Sequence, residues 1–159
     1  MSDFVSRVTN KLDSKGRVSI PAAFRAVLDY EEAKFLYCCP TLDMQAIDAG
    51  GSRFQGAIRD RLAQFETFSE DHEFLSTALL GESENLKIDT DGRVTLSDAL
   101  KEHAGITTHV TFVGQGYKFQ IWAPERFETY RNEAKIRVRE LRRRLGATSS
   151  GSPNSGADT

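Results

Sequence analysis

A fifteen-residue stretch occurs twice in this chain, and that repetition limits the architecture before any single residue is interpreted. Residues 11–25 read KLDSKGRVSIPAAFR and residues 87–101 read KIDTDGRVTLSDALK, related by a constant shift of 76 positions. Lys11/Lys87, Asp13/Asp89, Gly16/Gly92, Arg17/Arg93, Val18/Val94 and Ala23/Ala99 are identical, and Leu12/Ile88, Ser14/Thr90, Ser19/Thr95, Ile20/Leu96, Phe24/Leu100 and Arg25/Lys101 are conservative. A weaker echo sets Gln45-Ala46-Ile47 against Gln120-Ile121-Trp122, and Arg53-Phe54 against Arg126-Phe127. The chain is therefore expected to carry one small unit twice, over 1–80 and 81–145, with 146–159 as a disordered tail of small and polar residues that has almost nothing to bury.

Each unit reads as strand, turn, strand, short helix, strand pair, longer helix. Val8–Leu12 and Arg17–Ile20 have the composition of strands, and Gly16 supplies the positive φ that a tight turn between them needs. Pro21 suits a first helical turn, where its missing N–H costs nothing, and Ser97-Asp98 takes that place in the second copy. Later hairpins are predicted through Phe35–Ile47 and His109–Trp122, the second turning at Gly114-Gln115-Gly116. Phe54, Ile58, Leu62 and Phe65 form one helical stripe. Ser69 before Glu70, Asp71 and Glu73 reads as a capped helix start. The last helix starts near Pro124, with Phe127, Tyr130, Ala134, Val138, Leu141 and Leu145 on one side and arginines elsewhere.

Charge is informative by its distribution. The formal net charge is −2, which does not suit a protein that coats nucleic acid through bulk positive charge. Residues 1–25 nevertheless hold Arg7, Lys11, Lys15, Arg17 and Arg25 against Asp3 and Asp13, and residues 126–145 hold eight basic residues against three acids. A nucleic-acid contact would therefore be made by one local surface. Two readings of Arg17 stand side by side: a guanidinium fork reaching phosphate or guanine, or a staple to Asp13 across the turn. The basic last helix reads as a solvated face or a subunit contact.

Other chemistries find little footing. Cys38 and Cys39 are adjacent, which suits a buried strand in a reducing compartment better than a disulfide or a zinc site. His72, His103 and His109 lack the spacing of metal ligands, and no nucleophile elbow, Walker loop or dinucleotide fingerprint occurs, so neither an enzyme, a metal nor a cofactor is expected. No apolar run spans a bilayer and the first residues lack a signal peptide's apolar core, so no membrane partner is expected and the location is expected to be cytoplasmic. Two units of about 75 residues leave little core each, which favours self-assembly.

KLDSKGRVSIPAAFR resembles the signature of the MraZ family, within the wider AbrB/SpoVT group of swapped-hairpin DNA-binding domains, whose members carry a DxxxR motif in each half. Here the motifs run from Asp13 to Arg17 and from Asp89 to Arg93, and the resemblance covers roughly residues 4–145. The second motif departs from the first: Asp91 stands where Lys15 does, and Ser97 where Pro21 does. The resemblance implies an α+β fold in which two halves interleave into a duplicated swapped-hairpin β-barrel, double AbrB-like, with helices packed outside. It further implies a ring-like homo-oligomer, nucleoid-associated, that binds repeated promoter elements in double-stranded DNA and controls a cell-division and cell-wall gene cluster. On this reading Arg17, Lys15, Lys11, Arg93 and Arg7 are the candidate DNA contacts, and Asp13, Gly16, Asp89 and Gly92 build the turns. The alternative is an oligomeric ring that serves as a structural or interaction module without touching DNA.

Overall fold

The computed structural model describes residues 3–151, with side chains through 146. It is a mixed α+β structure whose two compact units are the segment up to Pro124 and the segment from Glu125 onward. The larger unit contains strands β1 (Arg7–Lys11), β2 (Arg17–Ser19), β3 (Phe35–Pro40), β4 (Ile47–Gly50), β5 (Glu84–Lys87), β6 (Arg93–Thr95), β7 (His109–Gly114) and β8 (Phe119–Trp122). Its helices are α1 (Ala22–Tyr30), α2 (Ser52–Leu62), α3 (Glu70–Ser76), continued by a π-helical turn over Thr77–Gly81, and α4 (Asp98–Ala104). The other unit is one long helix, α5 (Pro124–Gly151), which extends into the stretch assigned above to a tail; residues 152–159 of that tail lie outside the described residues.

Six strands form an antiparallel sheet in the order β1-β7-β8-β4-β3-β5, while β2 and β6 pair separately. The expected closed barrel is not formed: β1 and β5 are edges of an open sheet. The reason lies in the turns. The chain passes through Asp13–Gly16 and diverges, β1 pairing with β7 and β2 with β6, so the first two strands do not make the short hairpin expected of them. After the second turn the chain diverges likewise, β5 pairing with β3 and β6 with β2.

The strand order reads the same from both ends once each strand is replaced by its counterpart in the other repeat. Val18 lies directly opposite Val94, its own counterpart, and Asp48 directly opposite Gln120, so a local two-fold relation runs through both pairs. That register makes Tyr37 equivalent to Thr111 and Asp48 equivalent to Gln120, shifts of 74 and 72 rather than 76. The echo of Gln45–Ile47 in Gln120–Trp122 is therefore not the structural correspondence: connecting loops shortened between the copies displaced it.

The ribbon β2–β6 and helices α1 and α4 cover one face of the sheet, through Val18, Ile20, Phe24, Leu28, Val94, Leu96 and Leu100. Phe4, Phe24, Phe112 and Phe119 make a mutually tilted aromatic cluster at its centre, with Phe4 edge-on to Phe119 at 4.9 Å. Such pairs favour the electropositive ring edge meeting a negative face. A smaller cluster holds Cys39, Phe54, Ile58 and Leu62, with Leu75 and Leu79 packed on it. Phe65, read as the end of the α2 stripe, lies beyond Leu62 and outside that cluster. Both cysteines are buried in β3, and desolvation pushes both thiols up, which keeps them un-ionised.

Candidate nucleic-acid interface

Each Asp-x-x-Gly-Arg turn is built by its first side chain. Asp13 Oδ1 accepts from the backbone N–H of Lys15 and of Arg17, both at 2.9 Å, and Oδ2 accepts from Arg17 Nε at 2.6 Å. In the second copy Asp89 accepts from the N–H groups of Asp91 and Arg93 at 2.9 Å and from Arg93 Nε at 3.0 Å. The residue before the arginine must turn the chain with positive φ, and Gly16 and Gly92 do so at 78° and 76°. Hydrogen bonds from backbone and guanidinium to the charged form hold both aspartates below their ordinary value of 3.8, the backbone N–H of the arginine contributing most.

The turns are also fastened to each other's half. Ile20 N–H donates to the Gly92 carbonyl at 3.0 Å, and Leu96 N–H to the Gly16 carbonyl at 3.2 Å. Arg25, from α1, lies over the second turn and donates from Nη1 to the Asp91 carbonyl at 3.4 Å. Lys101, its counterpart on α4, lies beside Gly16. Neither residue was singled out as a site residue from the sequence, although the pairing of two cations at matching repeat positions was the available signal.

Strand alternation then decides what the ribbon displays. Val18 and Val94 point inward and are buried, so Arg17 and Ser19 on β2, and Arg93 and Thr95 on β6, face outward together. Arg17 stands opposite Thr95 and Arg93 opposite Ser19, which places the two arginine Cα atoms about 8 Å apart by strand spacing. Lys15 flanks this face from the first turn and Asp91 from the second. The structure thus brings Arg17, Arg93 and Lys15 to one surface. Arg7 and Lys11 instead line β1 at the edge of the six-stranded sheet, on the face opposite Asn10, whose amide reaches the Ser19 carbonyl.

The two arginines are not equally held. Among the described residues Arg17 pairs with Asp13 alone, whereas Arg93 meets both Asp89 and, at 3.2 Å, the Asp91 carboxylate. Among the described residues no group of three or more acids, cysteines and histidines could hold a metal ion, and no helix is long and apolar enough to cross a membrane.

The chain is similar to known proteins along most of its length. A family model described as "MraZ protein, putative antitoxin-like" matches residues 79–145. The chain is 53% identical to the transcriptional regulator MraZ of Beijerinckia indica over 147 residues, 92% of this chain and 90% of that one. It is 49% identical to the protein of the same name from Azorhizobium caulinodans over 157 residues, 99% and 98% of the two chains, and 37% identical to that of Rickettsia canadensis over 85% and 91%. These relatives are named as regulators of transcription, which is not a class of enzyme. At such identity over nearly the whole of both chains, this chain belongs to the MraZ family of transcriptional regulators.

Proposed function

We propose that this protein is a sequence-specific regulator that grips duplex DNA with the outward face of the β2–β6 ribbon, as an oligomer spread over repeated promoter elements. The observation that carries the reading is the pairing of Arg17 and Arg93, with Ser19 and Thr95, on one outward face of a two-stranded ribbon. A ribbon of that width enters a B-DNA major groove of about 12 Å, where guanidinium groups meet guanine O6 and N7 and hydroxyls meet either phosphates or base edges. Two-fold placement of the arginines matches the two-fold symmetry of duplex backbones. The aspartates hold each guanidinium by Nε, and Arg93 also gives a terminal nitrogen to Asp91 of its own turn.

The first turn is the main reading element, with Lys15 supplying a phosphate contact, and the second turn contributes less because Asp91 repels phosphate. Lys11 and Arg7 serve as outlying backbone contacts from β1. A modest site of this size gains affinity when an oligomeric ring presents several first turns to tandem repeats, since tethered sites bind at high effective concentration. By the resemblance of its repeated motif to the MraZ signature, the regulated genes are a cell-division and cell-wall cluster, and the protein works in the cytoplasm on the nucleoid.

The test is a gel shift of the DNA upstream of the protein's own gene, followed by a salt titration. Binding should give log K falling linearly with log salt. Assembled protein that leaves this DNA unshifted at low salt would sink the proposal and leave the acidic net charge to favour a non-DNA-binding assembly module.

A further inference from the structure

We infer that the α5 face carrying Val138, Leu141 and Leu145 is a docking strip for a second copy of this chain, which receives it on the acidic face of α3 and its π-helical turn, beside the cleft against α2. The inference rests on the reading of the protein as an oligomer and specifies which surfaces meet.

Helix α5 carries Ala134, Val138, Leu141 and Leu145 at spacings of four, three and four, the seam of a helix that pairs with a neighbour. Val138, Leu141 and Leu145 are all exposed, as is Ile136. Lys135, Arg137, Arg142 and Arg144 flank that seam, in the places that set partner choice in paired helices. Two such helices facing each other would oppose cation to cation, so α5 does not pair with another α5. Its partner is apolar at the centre and acidic at the rim.

A stretch of that description lies in the segment around α3. Residues 64–84 hold Glu66, Glu70, Asp71, Glu73, Glu82 and Glu84 and no lysine or arginine. Among them Phe68 is 87% exposed and Phe74 67% exposed, with Leu80 also open to solvent. Phe68 sits at φ 70°, a left-handed conformation that is costly for a bulky residue and that turns its ring outward just ahead of the Ser69 cap. On the inner side of the same run Leu75 and Leu79 line a cleft of about 290 Å³ with Phe54, Ile58 and Tyr117. A seam of Val and Leu fits such a cleft as a helix in a groove, and the basic flanks of α5 match the acids of α3. Because donor and acceptor are different surfaces, each copy docks on one neighbour and receives another, which closes into a ring or runs on as a filament.

Charge reversal tests the pairing. One variant carries Lys135→Glu and Arg142→Glu on α5, another Glu73→Lys and Glu82→Lys on the acidic run; all four side chains are exposed, so folding, followed by thermal melts, should be unchanged. By light scattering at a concentration where the natural protein is assembled, each variant alone should fall to the protomer mass. An equimolar mixture should return to the natural mass, because every α5 then finds a complementary neighbour. Variants that keep the natural mass, or a mixture that stays protomeric, would overturn this interface while leaving an oligomeric natural protein intact. A natural protein that is itself protomeric at micromolar concentration would overturn the oligomer reading and this inference with it.

Discussion

The two Asp-x-x-Gly-Arg turns share a backbone and differ in charge. Both hold glycine at positive φ, both close on the same aspartate, and both fasten to the opposite repeat through a carbonyl of their glycine. Yet the first presents Lys15 beside an arginine held once, and the second presents Asp91 beside an arginine held twice. Geometry was duplicated and electrostatics was not. The shared part is what folding needs, since each turn launches strands into two different sheets. The divergent part lies on side chains that folding leaves outward, and there the two halves are free to specialise.

The largest break in the comparison should come from the glycines. A Cβ at Gly16 would meet nothing closer than Lys101 Nζ at 3.7 Å, so Gly16→Ala pays only for a left-handed alanine, about 1–2 kcal/mol. A Cβ at Gly92 would run into Arg25 Cδ, so Arg25 must leave and its bond to the Asp91 carbonyl is lost, adding about 1 kcal/mol. Urea unfolding should therefore rank Gly92→Ala below Gly16→Ala in stability. Equal losses would mean that Arg25 does not latch the second turn.

Next in size is DNA affinity. Arg17→Ala should cost about 1–3 kcal/mol of specific binding and Arg93→Ala less, with oligomer mass unchanged in both. Gel shifts on repeated-site DNA measure this, and an Arg17→Ala variant that is correctly assembled and binds normally would reduce Arg17 to a staple for Asp13. Smaller still are the flanking charges. Lys15→Ala should flatten the salt slope by about one unit, whereas Asp91→Lys should steepen it and bring the second turn closer to the first. If Asp91→Lys changes nothing, the second turn stays clear of the duplex.

Much of this was legible in the sequence because the repeat is strict where local geometry is strict. Asp, Gly and Arg at fixed spacing announced the turns, and Pro21 and Ser97 announced the helices that follow. What the repeat did not announce was that strands flanking each turn part company, because partner choice depends on long-range register and not on the turn. The same limit displaced the hairpin echo: Gln45 and Gln120 are alike in type, but loop shortening set Asp48 against Gln120 instead. Of the candidate contacts, Arg17 and Arg93, chosen by motif, share one face of the ribbon, and Lys15 lies in the first turn beside it. Arg7 and Lys11 were found by local charge, a cruder guide, and lie along β1 because strand alternation ignores net charge. Ser19 and Thr95, which share the outward face with the two arginines, drew no attention in the sequence because small hydroxyl residues are common in strands.

Acid pH sharpens the comparison most finely, since here the two turns should behave alike. Asp13 and Asp89 both titrate below their ordinary value of 3.8, because backbone N–H groups and an arginine favour the carboxylate in the folded chain. A carboxyl whose folded value is depressed contributes stability that is fully present above the unfolded value and is lost as pH falls through the folded one. The window therefore opens near pH 4 and extends downward, and nothing from these groups changes at neutral pH. Each turn should supply a similar share, because the donors match and the backbone N–H bonds are equal at 2.9 Å. Lys15 and Asp91 alter the surroundings without adding a bond to the aspartate's oxygens through their side chains. Replacing either aspartate by asparagine keeps an oxygen to accept hydrogen bonds and removes the titrating charge. Urea midpoints measured from pH 5 down to pH 2.5 should show the steepest decline in the natural protein, an intermediate one in Asp13→Asn and in Asp89→Asn, and the flattest in the double variant. If one single variant removed the whole pH dependence, the turns would differ in their backbone hydrogen bonding as well as in charge, and the division between a duplicated geometry and a diverged electrostatics would fail.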